Sequence, residues 1–163
     1  MKALGAAVRR PHTVYLVGGT TAVLEGWRDS TIDVDLAFPG DTSPDVVLRA
    51  LVSIKEALEL NVEVSSPAEF IPVPSGWEER SRSIGREGSV TFLHFDLYSQ
   101  ALAKLERGHD RDLEDVDAML ERGLVEPSRL AALFDEIEPE LYRFPAIHPP
   151  SFRQRVEAAV AAG

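Results

Sequence analysis

The sequence predicts an α/β (α+β) domain, a small mixed β-sheet with flanking helices followed by a helical C-terminal part. Three observations predict it. Short β-rich runs alternate with a helical period across residues 13–97. After residue 98 only helical periodicity remains, punctuated by glycine and proline. The length of 163 residues fits one domain at about 150 residues per domain, with residues 1–98 as the sheet core and 99–163 as the helical part.

The elements follow in order. Thr13 to Val17 is a β-branched, apolar run that stops at Gly18-Gly19, a buried strand. Thr20 to Trp27 reads as a short helix that Thr20 or Thr21 can cap. Thr31 to Phe38 alternates as a second strand, and Pro39-Gly40 ends it. Ser43-Pro44 opens a helix with proline in its first turn. Val47, Ala50, Leu51, Ile54 and Leu58 carry its period to about residue 60. Asn61 to Ser65 alternates as a third strand, Ser66 to Gly88 reads as a long loop with short structure, and Ser89 to Leu97 is a fourth strand. Helices are expected at 99–107, from a cap at Asp110 to Arg122, at 127–134 and at 151–162, with an irregular proline-rich stretch at 139–150.

Composition narrows the function. Hydrophobic residues at 44% and charged residues at 27% match ordinary globular chains, which excludes wholesale disorder. Cysteine is absent, which removes disulfides, zinc–thiolate sites and thiol nucleophiles. The formal charge of −10 argues against broad nucleic-acid binding, which needs many cation–phosphate contacts. No apolar run approaches the roughly 20 residues of a membrane helix, and Met1 to Arg10 is too short a run for an export signal. The expected setting is cytoplasmic, with no membrane partner.

Asp33 and Asp35 are the most informative pair. Alternation along a strand puts both carboxylates on one face, about 6.6 Å apart, while Ile32, Val34 and Leu36 point to the core. Two such charges repel unless a cation intervenes. Divalent metals roughly 3.5–4 Å apart, held by carboxylates, suit in-line phosphoryl transfer. By itself Asp-X-Asp also describes two surface acids on an edge strand. Upstream, Gly18-Gly19-Thr20 joins a buried strand to a helix start. Glycine lets backbone approach a ligand, helix-start N–H groups favour phosphate, and Thr20 adds a hydroxyl. No Gly-Lys-Ser/Thr follows, so this is no Walker loop.

Val17-Gly18-Gly19-Thr20, a short helix and Asp33-Val34-Asp35 together resemble the signature of the polymerase-β-like nucleotidyltransferase superfamily. The resemblance implies a glycine turn that holds the triphosphate of a nucleoside triphosphate and carboxylates that bind Mg2+ or Mn2+. It also implies a third carboxylate on a neighbouring strand. Glu63, in Val62-Glu63-Val64, and Asp96, in Phe95-Asp96-Leu97, both fit, and chain order favours Glu63 as metal ligand or general base. Downstream, Ala101-Leu102-Ala103-Lys104-Leu105, Arg107 and Asp112-Leu113-Glu114-Asp115-Val116 are similar to a segment of AbiEii-like nucleotidyltransferases, some of them toxins of toxin–antitoxin pairs. That likeness implies phosphate contact for Lys104 and an active-centre place for Asp112. Thr31 also stands where that group often has Ser or Thr.

Helix geometry singles out Asp112 independently. At about 100° per residue, Leu113, Val116, Met119 and Leu120 define an apolar face, with Asp112 about 50° and Asp115 about 110° from its centre. An acid at the margin of a buried face needs a partner. Lys104 is the candidate, in a structural salt bridge or in catalysis. His12, His94, His109 and His148 lack metal-ligand spacing and read as structural or solvated. Trp27 and Trp77 read as core or loop packing, Trp77 being the better stacking candidate, and Arg80, Arg82 and Arg86 read as a charged loop surface, with phosphate or RNA contact as the alternative.

The expected activity is transfer of a nucleotidyl group from a nucleoside triphosphate to a hydroxyl of RNA, protein or a small molecule, with an antitoxin or a second copy as partner. The alternative is an inactive nucleotidyltransferase-fold binding or regulatory module, since the chain is short for an AbiEii-type toxin. A haloacid-dehalogenase-type phosphohydrolase fits less well. The glycine turn and helix precede the acids, and Leu36-Ala37 follows them.

Overall fold

Thr13-Val14-Tyr15-Leu16 has apolar or β-branched side chains at every position, the pattern of a strand covered on both faces. This strand, β1 (His12–Leu16), is the centre of a five-stranded mixed sheet. The structure, a computed structural model, describes residues 1–38 and 45–163. The other strands are β2 (Asp33–Ala37), β3 (Asn61–Val64), β4 (Arg82–Glu87) and β5 (Val90–His94), in the order β3-β2-β1-β5-β4. β1 runs antiparallel to β2 and parallel to β5. β2 and β3 are parallel, and β4 and β5 are antiparallel.

The helices are α1 (Lys2–Ala7), α2 (Gly18–Glu25), α3 (Asp45–Leu58), α4 (Trp77–Arg80), α5 (Leu97–Arg107), α6 (Asp110–Glu121), α7 (Pro127–Ile137) and α8 (Pro149–Ala162). The chain splits into two compact units, Met1–Ser66 with Ser81–Phe95, and Pro67–Arg80 with Asp96–Gly163. The first holds the whole sheet with α1, α2 and α3. The second holds α4 to α8. The division falls between Phe95 and Asp96 rather than after residue 98, and residues 67–80 group with the helical unit. Among the described residues no helix is long and apolar enough to cross a membrane.

In the first unit Leu4, Val14, Leu36, Val47, Val90 and Phe92 form the core. Gly5 and Gly88 let α1 lie against the β4–β5 hairpin. Gly88 has φ +57, and a Cβ there would come 2.5 Å from the Gly5 carbonyl oxygen. In the second unit Phe134 and Phe152 meet edge to face at 4.8 Å, and Leu102, Met119 and Leu130 are fully buried. Arg155 donates to the carbonyls of Leu105 and Glu106, satisfying carbonyls that the end of α5 leaves open.

Several expectations need correction. The stretch expected as a loop between Ser66 and Gly88 contains β4, preceded by a 3-10 turn at Pro67–Glu69 and by α4. Arg82-Ser83-Ile84-Gly85-Arg86-Glu87 hides its strand because it is an edge with mostly exposed, polar side chains and an irregularity between Ser83 and Gly85, as edge strands commonly have. The fourth expected strand ends at His94, because Asp96 caps α5 and Leu97 is already helical. α1 was not expected, and Ile32, expected in the core, precedes β2 and is 81% exposed. Thr20 and Thr21 do not cap α2, whose N-cap is Val17, and Asp110 lies inside α6 with His109 at the cap. α7 extends to Ile137, a 3-10 turn covers Glu138–Arg143, and α8 starts at Pro149, where proline is tolerated in a first turn. The Pro39-Gly40 stop and the Ser43-Pro44 helix start lie outside the described residues.

Candidate active site

The glycine turn follows β1 directly. Val17 N–H donates to the Asp35 carbonyl at 3.2 Å, which ties the turn to β2. Gly18 opens α2 with φ +55, and a Cβ on it would lie 2.6 Å from Asp35 Oδ2. The backbone conformation favours glycine, and a side chain there would have to push the end of the Asp35 side chain aside. The backbone is left-handed there, and the Asp35 carboxylate occupies the space a side chain would need. A Cβ on Gly19 would collide with Thr31 Oγ1 and lie 3.6 Å from Arg28 Nη1. The doublet therefore places backbone against a carboxylate, a hydroxyl and a guanidinium.

Thr20 reaches across to the acid strand. Its Oγ1 accepts from Asp35 N–H at 2.9 Å. Thr31 Oγ1 donates to the Asp33 carbonyl at 3.0 Å. These bonds fix the β2 backbone at both acids. An α-helix cannot satisfy its first N–H groups internally, and its N-terminal dipole favours negative charge. The start of α2 thus suits an anion beside the two carboxylates.

Asp33 and Asp35 are both half-buried. The Asp33 carboxylate accepts from Asn61 Nδ2, and Asn61 Oδ1 accepts from Lys55 Nζ at 3.0 Å. Asn61 is opposite Asp33 in the β2–β3 register, and Glu63 is opposite Asp35. Neighbouring positions on parallel strands share a face, so Glu63 stands beside Asp35 on an exposed strand. Among the described residues no group of three or more His, Asp or Glu is close enough to hold a metal ion. The donor set still fits Mg2+, which takes oxygen ligands and is commonly held by one or two carboxylates together with substrate phosphates and water.

Asp96 has other work. It is 1% exposed and caps α5. Its carboxylate accepts from the N–H groups of Tyr98 and Ser99, from Ser99 Oγ at 2.6 Å and from Arg80 at 2.9 Å. Lys104 and Asp112 belong to the second unit and meet there. Lys104 Nζ lies 3.0 Å from Asp112 Oδ1 and 2.6 Å from Asp115 Oδ2, and Arg107 lies 2.8 Å from Asp112. Asp115 was expected off the buried face, yet it is 2% exposed. The buried stripe of α6 is Asp112, Asp115, Val116 and Met119, rotated away from Leu113 because the Lys104 ammonium draws both acids inward.

His94, read from sequence as structural or solvated, is buried at the end of β5. Its Nδ1 lies 3.3 Å from Thr21 Oγ1, and its Nε2 lies 3.1 Å from Glu25. It therefore grips α2 at two positions one turn apart. Burial holds its pKa below the ordinary value, against the pull of Glu25 and with a further push from Arg82.

Sequence reasoning missed Arg28, Asn61 and Lys55. Arg28 lies between the glycine turn and the acid strand in a sequence that offers few cations there, which was a usable signal. Asn61 and Lys55 depend on the β2–β3 register, which no local pattern supplies.

A family model described as "Nucleotidyltransferase of unknown function (DUF6036)" matches residues 1–145. No curated protein and no solved structure matches the chain. The matched residues include the glycine turn, both strand aspartates and the helices that carry Lys104 and Asp112, and the chain belongs to this family of nucleotidyltransferases.

Proposed function

We propose that the protein is a Mg2+-dependent (or Mn2+-dependent) enzyme that moves a nucleotidyl group from a nucleoside triphosphate to an acceptor hydroxyl. The observation that carries this reading is the seating of the Asp35 carboxylate against Gly18, with Asp33 two residues away on the same strand. A polyphosphate at the start of α2 would face Gly18, Gly19 and Thr20, and Arg28 adds a positive charge beside Gly19. Asp33 and Asp35 are the residues that would hold the metal together with substrate phosphates, and Glu63 stands beside them on the next strand without completing a three-residue ligand set. When bound, the metal neutralises phosphate charge and lowers the pKa of an attacking oxygen.

In the transfer, the acceptor oxygen forms a bond to the α-phosphorus as the bond to the pyrophosphate oxygen breaks. The acceptor proton passes to a carboxylate, for which Glu63 is the exposed candidate. The hydrogen bonds that occupy Asp96 favour Glu63 over it. The two acids on Lys104 favour a structural place for Lys104 and Asp112 over direct phosphate contact. The AbiEii-like likeness suggests RNA or protein as acceptor and a toxin–antitoxin setting.

The second reading, a nucleotidyltransferase fold that binds without turnover, draws on the missing cluster of three metal-ligating side chains among the described residues. The two separate in one experiment. The protein is incubated with Mg2+, cell extract and each of the four α-labelled triphosphates. The enzyme reading expects label on RNA or protein that disappears with Asp35→Asn. Label from none of the four, with triphosphate binding intact, would leave the binding module.

A further inference from the structure

On the other side of β2 from the acids, the first unit contains a cavity of about 320 Å3. Val34, Leu36, Val62 and Phe92 line it from the sheet, and Leu51 and Ile54 line it from α3. Among the described residues no lining side chain carries a charge. The two lining hydroxyls, Thr20 and Thr31, already bond to the β2 backbone.

Three physical points bear on what belongs there. The cavity opens to solvent on one side, so its apolar walls face water rather than one another. Water needs two to four polar partners to settle in a cavity, and these walls offer almost none. Leu24, Leu58 and Leu60 also line the cavity and remain 45%, 53% and 41% exposed, so its mouth presents apolar surface to solvent. A void of roughly 150 Å3 with such walls accepts benzene, and small-molecule pockets begin near about 300 Å3.

We propose that this cavity is a binding site for a small, uncharged, apolar molecule, about the size of an aromatic ring with a short alkyl chain. The uncharged side chains of the described lining select against ions and nucleotides. The volume selects against a whole helix. The occupant would rest on Val34 and Leu36, which alternate with Asp33 and Asp35, and on Thr20 in the glycine turn. The site therefore backs the acid strand without sharing its ligand, and the proposal stands independently of nucleotidyl transfer.

The test uses n-butylbenzene as probe with the full chain. Saturating probe should raise the unfolding midpoint by several degrees and shift the methyl resonances of Val34, Leu51 and Ile54. Ile54→Trp, which fills the space, should lose both effects. Where that variant does not fold, Val34→Phe serves the same purpose, and the wild-type methyl map decides by itself. Asp35→Asn should keep the response to butylbenzene, so failure of the active-site reading would leave this one standing. An unchanged midpoint and methyl spectrum in the wild type would overturn the proposal. So would methyl shifts located elsewhere, or a dimer that covers this mouth and dissociates with Leu58→Glu.

Discussion

Asp112 and Asp115 share one buried ammonium, whereas Asp33 and Asp35 stand half-buried on a strand beside a glycine turn. Both are pairs of acids a few residues apart, and the molecule treats them in opposite ways. On α6, Lys104 sits between the carboxylates and Arg107 adds a second cation. Charge is balanced within the cluster, as burial requires. On β2, Asp33 accepts from an amide, Asn61, and Asp35 lies against backbone whose conformation favours glycine. The Asp112–Asp115 pair is held by side-chain cations of its own unit, and the Asp33–Asp35 pair is the one proposed above to take a ligand. Clustering by itself did not distinguish them.

The largest expected effect breaks the first pair. Lys104→Met removes the buried ammonium that the two carboxylates share and leaves Asp112 to Arg107. It should cost about 3–5 kcal/mol, read as a fall in the urea midpoint. A change under about 1 kcal/mol would mean that the cluster behaves like a surface ion pair. Next, Asp96→Ala removes the α5 cap and the Arg80 partner and should cost about 1–3 kcal/mol. It should leave any Mg2+–triphosphate stabilisation intact, while Glu63→Gln should reduce that stabilisation with little change in the unliganded midpoint. The reverse outcome would exchange their roles.

Gly18→Ala sharpens the contrast on the β2 side. Left-handed backbone costs an L-residue about 1–2 kcal/mol, and the new methyl would displace the Asp35 carboxylate. Triphosphate binding should weaken more than stability does, as paired calorimetric and urea titrations would show. Gly123→Ala is the control, since it also has positive φ but no atom within 4 Å of a Cβ. It should carry the strain alone.

The smallest effect concerns His94. Its folded pKa lies below 6.5, first because of burial. The unfolded chain therefore binds more protons than the native one just below pH 6.5, and stability falls as pH drops. The stabilising contribution is full above pH 6.5 and is lost as pH falls toward the folded pKa. Urea midpoints between pH 7.5 and 5.5 should decline more steeply for the wild type than for His94→Gln. Parallel slopes would remove His94 from the account.

The legible parts of the molecule were those in which local chemistry and packing agree. Val14 and Leu16 in β1 and the alternation Asp33-Val34-Asp35-Leu36 in β2 mark their strands without tertiary help. Gly18-Gly19 was legible as the junction of strand and helix, although the helix expected from Thr20 already starts at Gly18. β4 was not, because an edge strand need not bury alternate residues and Arg82-Ser83 and Arg86-Glu87 look like loop. Asp115 escaped because an apolar-face count assigns an acid to solvent, while Lys104 on another helix pulls it inward. Arg28, Asn61 and Lys55 join the candidate site through contacts that only strand register and the path of the turn create.

Asp33 and Asp35, opposite Gly18, are proposed to form a metal–triphosphate site. The most direct measurement is calorimetric titration of each nucleoside triphosphate, with and without Mg2+, into the wild type and Asp35→Asn. The account predicts Mg2+-dependent binding of at least one triphosphate to the wild type, stabilising it by about 2.7 kcal/mol at a hundredfold excess over Kd, and no binding to the variant. Equal binding by both proteins, or binding indifferent to Mg2+, would contradict it.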